Sequence, residues 1–433
     1  MSDRRGRLGR RTVLTGAVAS ASAVFATAGT ARAEGGHGGG RVRTGAEVAE
    51  AAGWQMLRGT RLGVVSNPTG VLRDHGHVVD AMHADDGLDI GGVFGPEHGF
   101  RGSAQAGGSE GTSEDPRTGL TVYDAYGANI DKYVEMYDKA GVETVVFDIQ
   151  DIGARFYTYI WTLYNAMCAA AKSDRAFVVL DRPNPIGGEA DGPLMTPGFT
   201  SGVGLKEIVQ RHGMTVGELA RFYDGVFLRD EVDTVLGDRL SVVECRGWRG
   251  SMVAQDFSLP WVAPSPNIPT VDSAAVYIGT CYFEGTNLSE GRGTTRPFEW
   301  IGAPWLDYHW GDRLNAYGLR GVQFREAYFN PTFNKYEGEV CAGVQVHLTD
   351  PRRFDGVATA AAMLIEAKRY ADFEWRYDDY DPVRPYWIDK LSGSPRLRTM
   401  IDDGADLDAV TKAWRGERQD FERLRRRYLL YPR

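Results

Sequence analysis

Glu97 and His98 stand in the stretch GGVFGPEHGFRG (91–102), where an apolar run meets Gly95-Pro96 and the pair is fenced by Gly99 and Gly102. A glutamate held by proline and glycine at the tip of a buried strand reads as a catalytic carboxylate; the plainer alternative is a polar turn. Other chemistries fit worse. A dinucleotide site needs G-x-G-x-x-G directly after the first strand, and here that strand is followed by SNPTG (66–70). No strand leads into a P-loop and no H-E-x-x-H occurs, so no cofactor or metal is expected. His75 and His77 with Asp80 lack a third ligand at a suitable spacing and read as a turn entering a helix. Gly107-Gly108-Ser109-Glu110-Gly111 matches G-x-S-x-G. That motif requires a strand before it and a helix after it. Neither flank fits, and residues 102–119 read as a loop able to act as a lid over Glu97.

The elements that must hold these residues alternate. RLGVVSN (61–67), LDIGGVFG (88–95), ETVVFDIQD (143–151), AFVVLDRP (176–183) and RLSVVECR (239–246) read as strands. Helical spacing falls at 44–57, 76–85, 129–141, 156–172 and 215–227. Strands that are continuous apolar runs, separated by helices, predict a parallel sheet covered on both faces: an α/β, Rossmann-like, doubly wound domain over 42–262. The proline-bearing stretch WVAPSPNIPTVDS (261–273) reads as a linker. A smaller α/β or α+β domain is expected over 271–433, with strands at 274–283 and 340–350 and helices at 356–371 and around 405–430. In such sheets ligands gather at the carboxyl ends of the strands. Those ends carry Asn67, Glu97-His98, Asp148-Ile149-Gln150-Asp151 and Asp181-Arg182-Pro183-Asn184, a polar rim expected to be functional. Strand alternation turns Asp148 and Gln150 one way and Asp151 the other. Asp151 reads equally as a helix cap or a partner of Arg155.

The first residues bear on location. Arg10-Arg11 precede Val13-Leu14, an Ala/Ser-rich run and Ala31-Arg32-Ala33. This is the pattern of a twin-arginine export signal over 1–33, too short for a membrane anchor, so an exported protein is expected. The segment holds six arginines and one aspartate, and its removal makes the chain more acidic than its formal net charge of −9. An acidic surface disfavours nucleic acid and anionic membrane as partners. Cys168, Cys245, Cys281 and Cys341 are scattered without C-x-x-C; one or two disulfides or buried thiols are both open.

Taken in order, SNPTG (66–70), FGPEHGFRG (94–102), TVYDAYG (121–127), VVFDIQDIGARFYTYIWT (145–162), LDRPNPIGG (180–188), HGMTVGELA (212–220), SPNIPT (265–270) and YFEGTNLSEGRGTTRPFEWIGAPW (282–305) resemble the exo-β-N-acetylmuramidase family typified by NamZ. The likeness spans nearly all of the chain after the signal. It implies a Rossmann-like domain with a smaller C-terminal domain and an active site in the cleft between them. It also implies release of N-acetylmuramic acid from the non-reducing ends of peptidoglycan fragments. Glycoside hydrolysis uses a proton donor at the leaving oxygen and a second group at the anomeric carbon. Glu97 is the expected key carboxylate, the glutamate to which the resemblance also points. His98 is expected to orient it or touch sugar hydroxyls, unless it is a packed turn residue. Asp148 and Asp151 are candidates for the second group, as is the substrate's own acetamido carbonyl. Arg292, with Thr294, is expected to bind the lactyl carboxylate of muramic acid, unless it pairs with Glu284 or Glu290. Asn67, Arg101, Gln150, Arg155, Tyr157, Arg182, Asn184, Glu284 and Asn287 complete the sugar-binding candidates, with Tyr159 as a further hydroxyl contact and Trp305 for stacking. A non-catalytic muropeptide-binding protein on the same fold is the other reading.

Overall fold

The computed structural model describes residues 41–433, so the export signal expected over 1–33 lies outside the described residues. The N-terminal half contains β1 (Arg61–Ser66), β2 (Asp89–Gly95), β3 (Ser113–Glu114), β4 (Thr121–Asp124), β5 (Thr144–Asp148), β6 (Ala176–Leu180), β7 (Asp191–Leu194), β8 (Val209–Arg211) and β9 (Leu240–Val243). β7 and β8 form a separate antiparallel pair; the other seven make one sheet in the order β3-β4-β2-β1-β5-β6-β9. All its pairings are parallel except that of the edge strand β3 with β4. The helices are α1 (Gly45–Ala51), α2 (Val78–His83), α3 (Ile130–Ala140), α4 (Tyr159–Lys172), α5 (Val216–Val226) and the short α6 (Leu228–Val232).

Period-two alternation sorts the strand side chains into two cores. Leu62, Val64, Val93, Val146 and Val178 pack with α1 and α2 on one face. Val65, Phe94, Val145, Phe147, Phe177 and Val179 pack with α3, α4 and α5 on the other. Both faces are covered, so the expected Rossmann-like class is the observed one. The caps explain the helix starts. Thr44 and Thr215 each form a reciprocal capping box with the glutamate three residues on, and Asn129 caps α3. The chain winds outward from β1 through β2 to β4, then returns to β5, β6 and β9, so its direction reverses between β1 and β5.

The C-terminal half adds α7 (Val271–Thr280), β10 (Trp300–Ala303), α8 (His309–Ala316), β11 (Val322–Phe329), β12 (Cys341–Leu348) and α9 (Gly356–Ala367), followed by four short helices between Trp387 and Arg425. β10, β12 and β11 form an antiparallel sheet in that order. One expectation is corrected here: 274–283 is not a strand but helix α7, continued by a 3-10 turn at Cys281–Gly285. A short apolar run buried on every side has no amphipathic period to separate helix from strand. The missed signal was Thr270, whose side chain caps α7 by accepting from the Ser273 N–H. α7 then lies so close to the start of α9 that a Cβ on Gly279 would fall 2.0 Å from the Gly356 carbonyl. All four cysteines are buried free thiols. Among the described residues no helix is long and apolar enough to cross a membrane.

Candidate active site

Glu97 lies two residues beyond the end of β2, and the turn that carries it is fixed from both sides. His98 and Gly99 both have positive φ, 70° and 84°. A Cβ on Gly99 would lie 2.2 Å from the Glu110 carboxyl carbon, so the chain needs glycine there. Glu110 in turn accepts from the Arg101 and Ser103 N–H groups. Loop 102–119 is thereby folded back over the turn, and the Gly107 N–H donates to Glu97 Oε1 at 2.8 Å. The Thr158 hydroxyl, at the N-cap position of α4, lies 3.3 Å from Oε2. His98 is buried and its Nδ1 is 3.1 Å from the Ala104 carbonyl. A carbonyl only accepts, so Nδ1 is the donor in this contact. Ser109, in the same loop, donates at 2.7 Å to Asp124 at the end of β4, and no strand precedes it and no helix follows it directly.

Glu97 and His98 line a cavity of about 150 Å³ whose wall also includes the turn 156–159, Val203, Ser265, Asn267, Ile268, Tyr277, Cys281, Glu284, Arg292 and Phe298. Residues 156–158 were expected inside the helix; α4 begins at Tyr159, and the preceding turn presents Tyr157 and Thr158 to the cavity instead. Aromatic rings form much of the wall. Tyr157 meets Tyr159 and Tyr277 edge-on at 5.2 and 5.7 Å, and Tyr277 meets Phe298 at 4.6 Å. The Arg292 guanidinium lies 5.0 Å from the centre of the Phe298 ring. Its Nη2 donates to Glu284 at 2.7 Å and its Nε is 3.2 Å from Glu290. Burial alone would raise the Glu290 carboxyl, but Lys335, 2.9 Å away, and Arg292 outweigh it and hold it low. Burial opposes charge on Arg292 too, yet Glu284 and Glu290 raise it, so the guanidinium stays charged. Arg292 is thus braced by Glu284 and Glu290, as its plainer reading expected, and it also lines the cavity. Among the described residues its Nη1 has no hydrogen-bond partner. Glu97 and Glu284 are the two carboxylates on this wall.

Glu97, His98, Tyr157, Tyr159, Glu284 and Arg292 are thus brought together. The other expected residues are placed elsewhere, each for a visible reason. Asp148 and Arg182 form a buried bidentate pair at 2.5 and 2.9 Å at the β1/β5 switch point. The crevice there is filled by residues 254–262, leaving about 40 Å³ beside Gln150 and Arg182. Asp151 accepts from the Gly153 N–H at 2.7 Å and is paired with the buried His212 at 3.0 Å, not with Arg155. Arg155 is fully buried and spends its guanidinium on the Pro193, Ile208 and Leu391 carbonyls. Burial lowers it to about 10. Arg101 holds Asp80 and Asp115 and so ties down the loop beside Glu97. Asn67 accepts from Thr69, and Asn184 braces its own turn by bonding Ile186 and Met214. Asn287 ties its loop to Asp372 and Glu374, and Thr294 closes a turn on Gly291. Trp305 contacts Tyr336 and Tyr370. Sequence reasoning missed Thr158, Asn267, Tyr277 and Phe298. Thr158, Asn267 and Phe298 lie in segments singled out by resemblance, and Tyr277 was hidden by the strand assignment. Among the described residues no cluster of three or more His, Cys, Asp or Glu could hold a metal.

Fold and site define a class: a Rossmann-like α/β protein with a two-carboxylate cavity beside the carboxyl end of a parallel strand. The family model for the N-terminal part of exo-beta-N-acetylmuramidase NamZ matches residues 62–272, and that for its C-terminal part matches 275–431. The chain belongs to this NamZ family. It is 40% identical over 393 residues to the peptidoglycan beta-N-acetylmuramidase NamZ of Bacillus subtilis (strain 168), covering 90% of this chain and 92% of that one. Crystal structures of two DUF1343 family proteins from Bacteroides fragilis NCTC 9343 share the fold. Their TM-scores are 0.78 and 0.69 at 32% and 29% identity, each over 90% of this chain and 99% of the other.

Proposed function

We propose that this protein is an exo-acting glycoside hydrolase that releases N-acetylmuramic acid from the non-reducing ends of peptidoglycan fragments. Its active site is the cavity in which Glu97 of the sheet domain meets Glu284 and Arg292 of the C-terminal domain. The observation that carries the reading is the position of Glu97, which walls both this cavity and a wider surface groove. A carboxyl group at that boundary is where a glycosidic oxygen would lie with the terminal sugar held inward. Its Oε1 accepts from the Gly107 N–H and its Oε2 from the Thr158 hydroxyl, so the carboxyl group is held at that boundary. In this reading Glu97 gives the proton to the leaving oxygen. Glu284, fixed by Arg292, stabilises positive charge developing at the anomeric carbon. Arg292 Nη1 is the donor for the lactyl carboxylate. Asp148 and Asp151, locked in internal pairs, support the fold. The twin-arginine pattern at 1–33 supports action on cell-wall fragments outside the cytoplasm.

The test is hydrolysis of a chromogenic β-N-acetylmuramide beside the matching N-acetylglucosaminide. Release from the muramide alone, reduced by about a thousandfold or more in Glu97→Gln at unchanged Tm, is the expected result. Binding of muropeptide without release from either sugar would instead mark a non-catalytic binding protein.

A further inference from the structure

The wider groove on the outer side of Glu97 has a chemistry of its own. Its volume is about 500 Å³, and Tyr126, Asn129, Tyr133, Trp161, Asn165 and Leu205 are among its walls. These come from the loop after β4, from α3, from the first turns of α4 and from the loop before β8. Among the described residues Glu97 is the only charged one on that wall. The inner cavity, by contrast, contains the Arg292–Glu284 ion pair. Thr158 and Val203, like Glu97, belong to both walls, so the two hollows adjoin along that line.

We propose that this groove is the leaving-group subsite, that it takes an uncharged sugar, and that Tyr126 is the ring on which this sugar stacks. The inference rests on the glycosidase reading above and names the part of the substrate beyond the scissile bond. Three observations support it. A glycosidic oxygen next to Glu97, with one sugar in the inner cavity, places the next sugar in the adjoining hollow. A carboxylate or peptide stem in that hollow would lose water without meeting a counter-charge, which is costly, whereas a neutral hexosamine would not. Aromatic rings with amide and hydroxyl side chains match the apolar face and polar rim of a sugar. Tyr126 is 42% exposed, so its ring is available. Its ring and the Glu97 carboxyl line the same groove.

The experiment measures binding to the Glu97→Gln protein by calorimetry, with two probes: N-acetylmuramyl-β-1,4-N-acetylglucosamine and free N-acetylmuramic acid. It is paired with kcat and KM for the disaccharide in the otherwise native enzyme. Tyr126→Ala is expected to weaken disaccharide binding and raise KM about tenfold, while muramic acid binding stays within about twofold. Tyr126→Phe, which keeps the ring, is expected to restore both. An unchanged disaccharide affinity in Tyr126→Ala, or equal losses for both probes, would overturn the subsite. A native enzyme that cleaves no muramide would overturn the glycosidase reading alone. The binding comparison would still judge the groove.

Discussion

At the scale of single residues, the site separates groups that face a cavity from groups that only look reactive in sequence. Asp148 and Arg182 are as polar as Glu97, but each is consumed by the other inside the protein. Glu97 keeps one oxygen against a hydroxyl at the rim of two hollows. Tyr157 tests how far such sorting can be taken. Its ring lines the cavity, yet its hydroxyl is buried and, among the described residues, without a hydrogen-bond partner. Burial drives that phenol well above its ordinary range. A desolvated unpaired hydroxyl costs about 1–3 kcal/mol. Tyr157→Phe is therefore expected to raise Tm by a few degrees while kcat/KM for a muramide stays within about twofold. A large loss of kcat/KM would show that the hydroxyl reaches substrate.

At the scale of elements, two turns hold the rim. The 97–99 turn needs a left-handed glycine against Glu110. Gly99→Ala is expected to cost about 1–3 kcal/mol and to lower activity further by pushing loop 102–119 off Glu97. Thermal melts and muramide assays on the same sample separate the two effects. The other turn is the start of α2. His77 caps the helix by accepting from the Val79 N–H on Nδ1, and its Nε2 is 2.9 Å from the Asn67 carbonyl. Burial, reinforced by Arg101, lowers its pKa below the usual 6.5, against the opposing pull of Asn67. A histidine with a lowered folded pKa contributes stability that is complete above 6.5 and lost as pH falls toward the folded value. Tm of the native protein should thus drop between pH 7 and 5. His77→Asn, which still caps, should flatten that part of the profile.

At the scale of the whole molecule, the last residues return to the sheet domain. Tyr431 donates to the buried Asp181 at 2.5 Å and packs edge-on against Trp248. Arg433 pairs with the buried Glu218 at 2.5 Å. Deleting 431–433 breaks a buried pair and is expected to cost about 3–5 kcal/mol. The loss should grow with pH. Burial already raises Asp181 to about 7, while the Tyr431, Gly217 and Thr215 donors oppose the rise. Without Tyr431 the carboxyl rises further, and a raised folded carboxyl loses stability as pH climbs from its unfolded value. Melts of the truncated chain at pH 5 and pH 8 check this; an equal cost at both would show that Asp181 does not titrate there.

What the sequence determined by itself is local. Apolar runs separated by amphipathic helices specified a parallel sheet with two covered faces, because burial on both sides leaves only that pattern. The GPEHG turn marked Glu97, because glycine and proline record backbone constraints directly. The tertiary structure decided which polar groups are spent. Asp148 and Arg182 are 34 positions apart, and Arg155 lies 236 from Leu391. Pairings at such separations are set by how strands register and domains dock. They filled the switch-point crevice, withdrew Asp148, Asp151 and Arg182 into the interior, and left Glu97 beside Glu284 and Arg292. Glu284 and Arg292 follow a helix that the uniform apolar run had disguised as a strand.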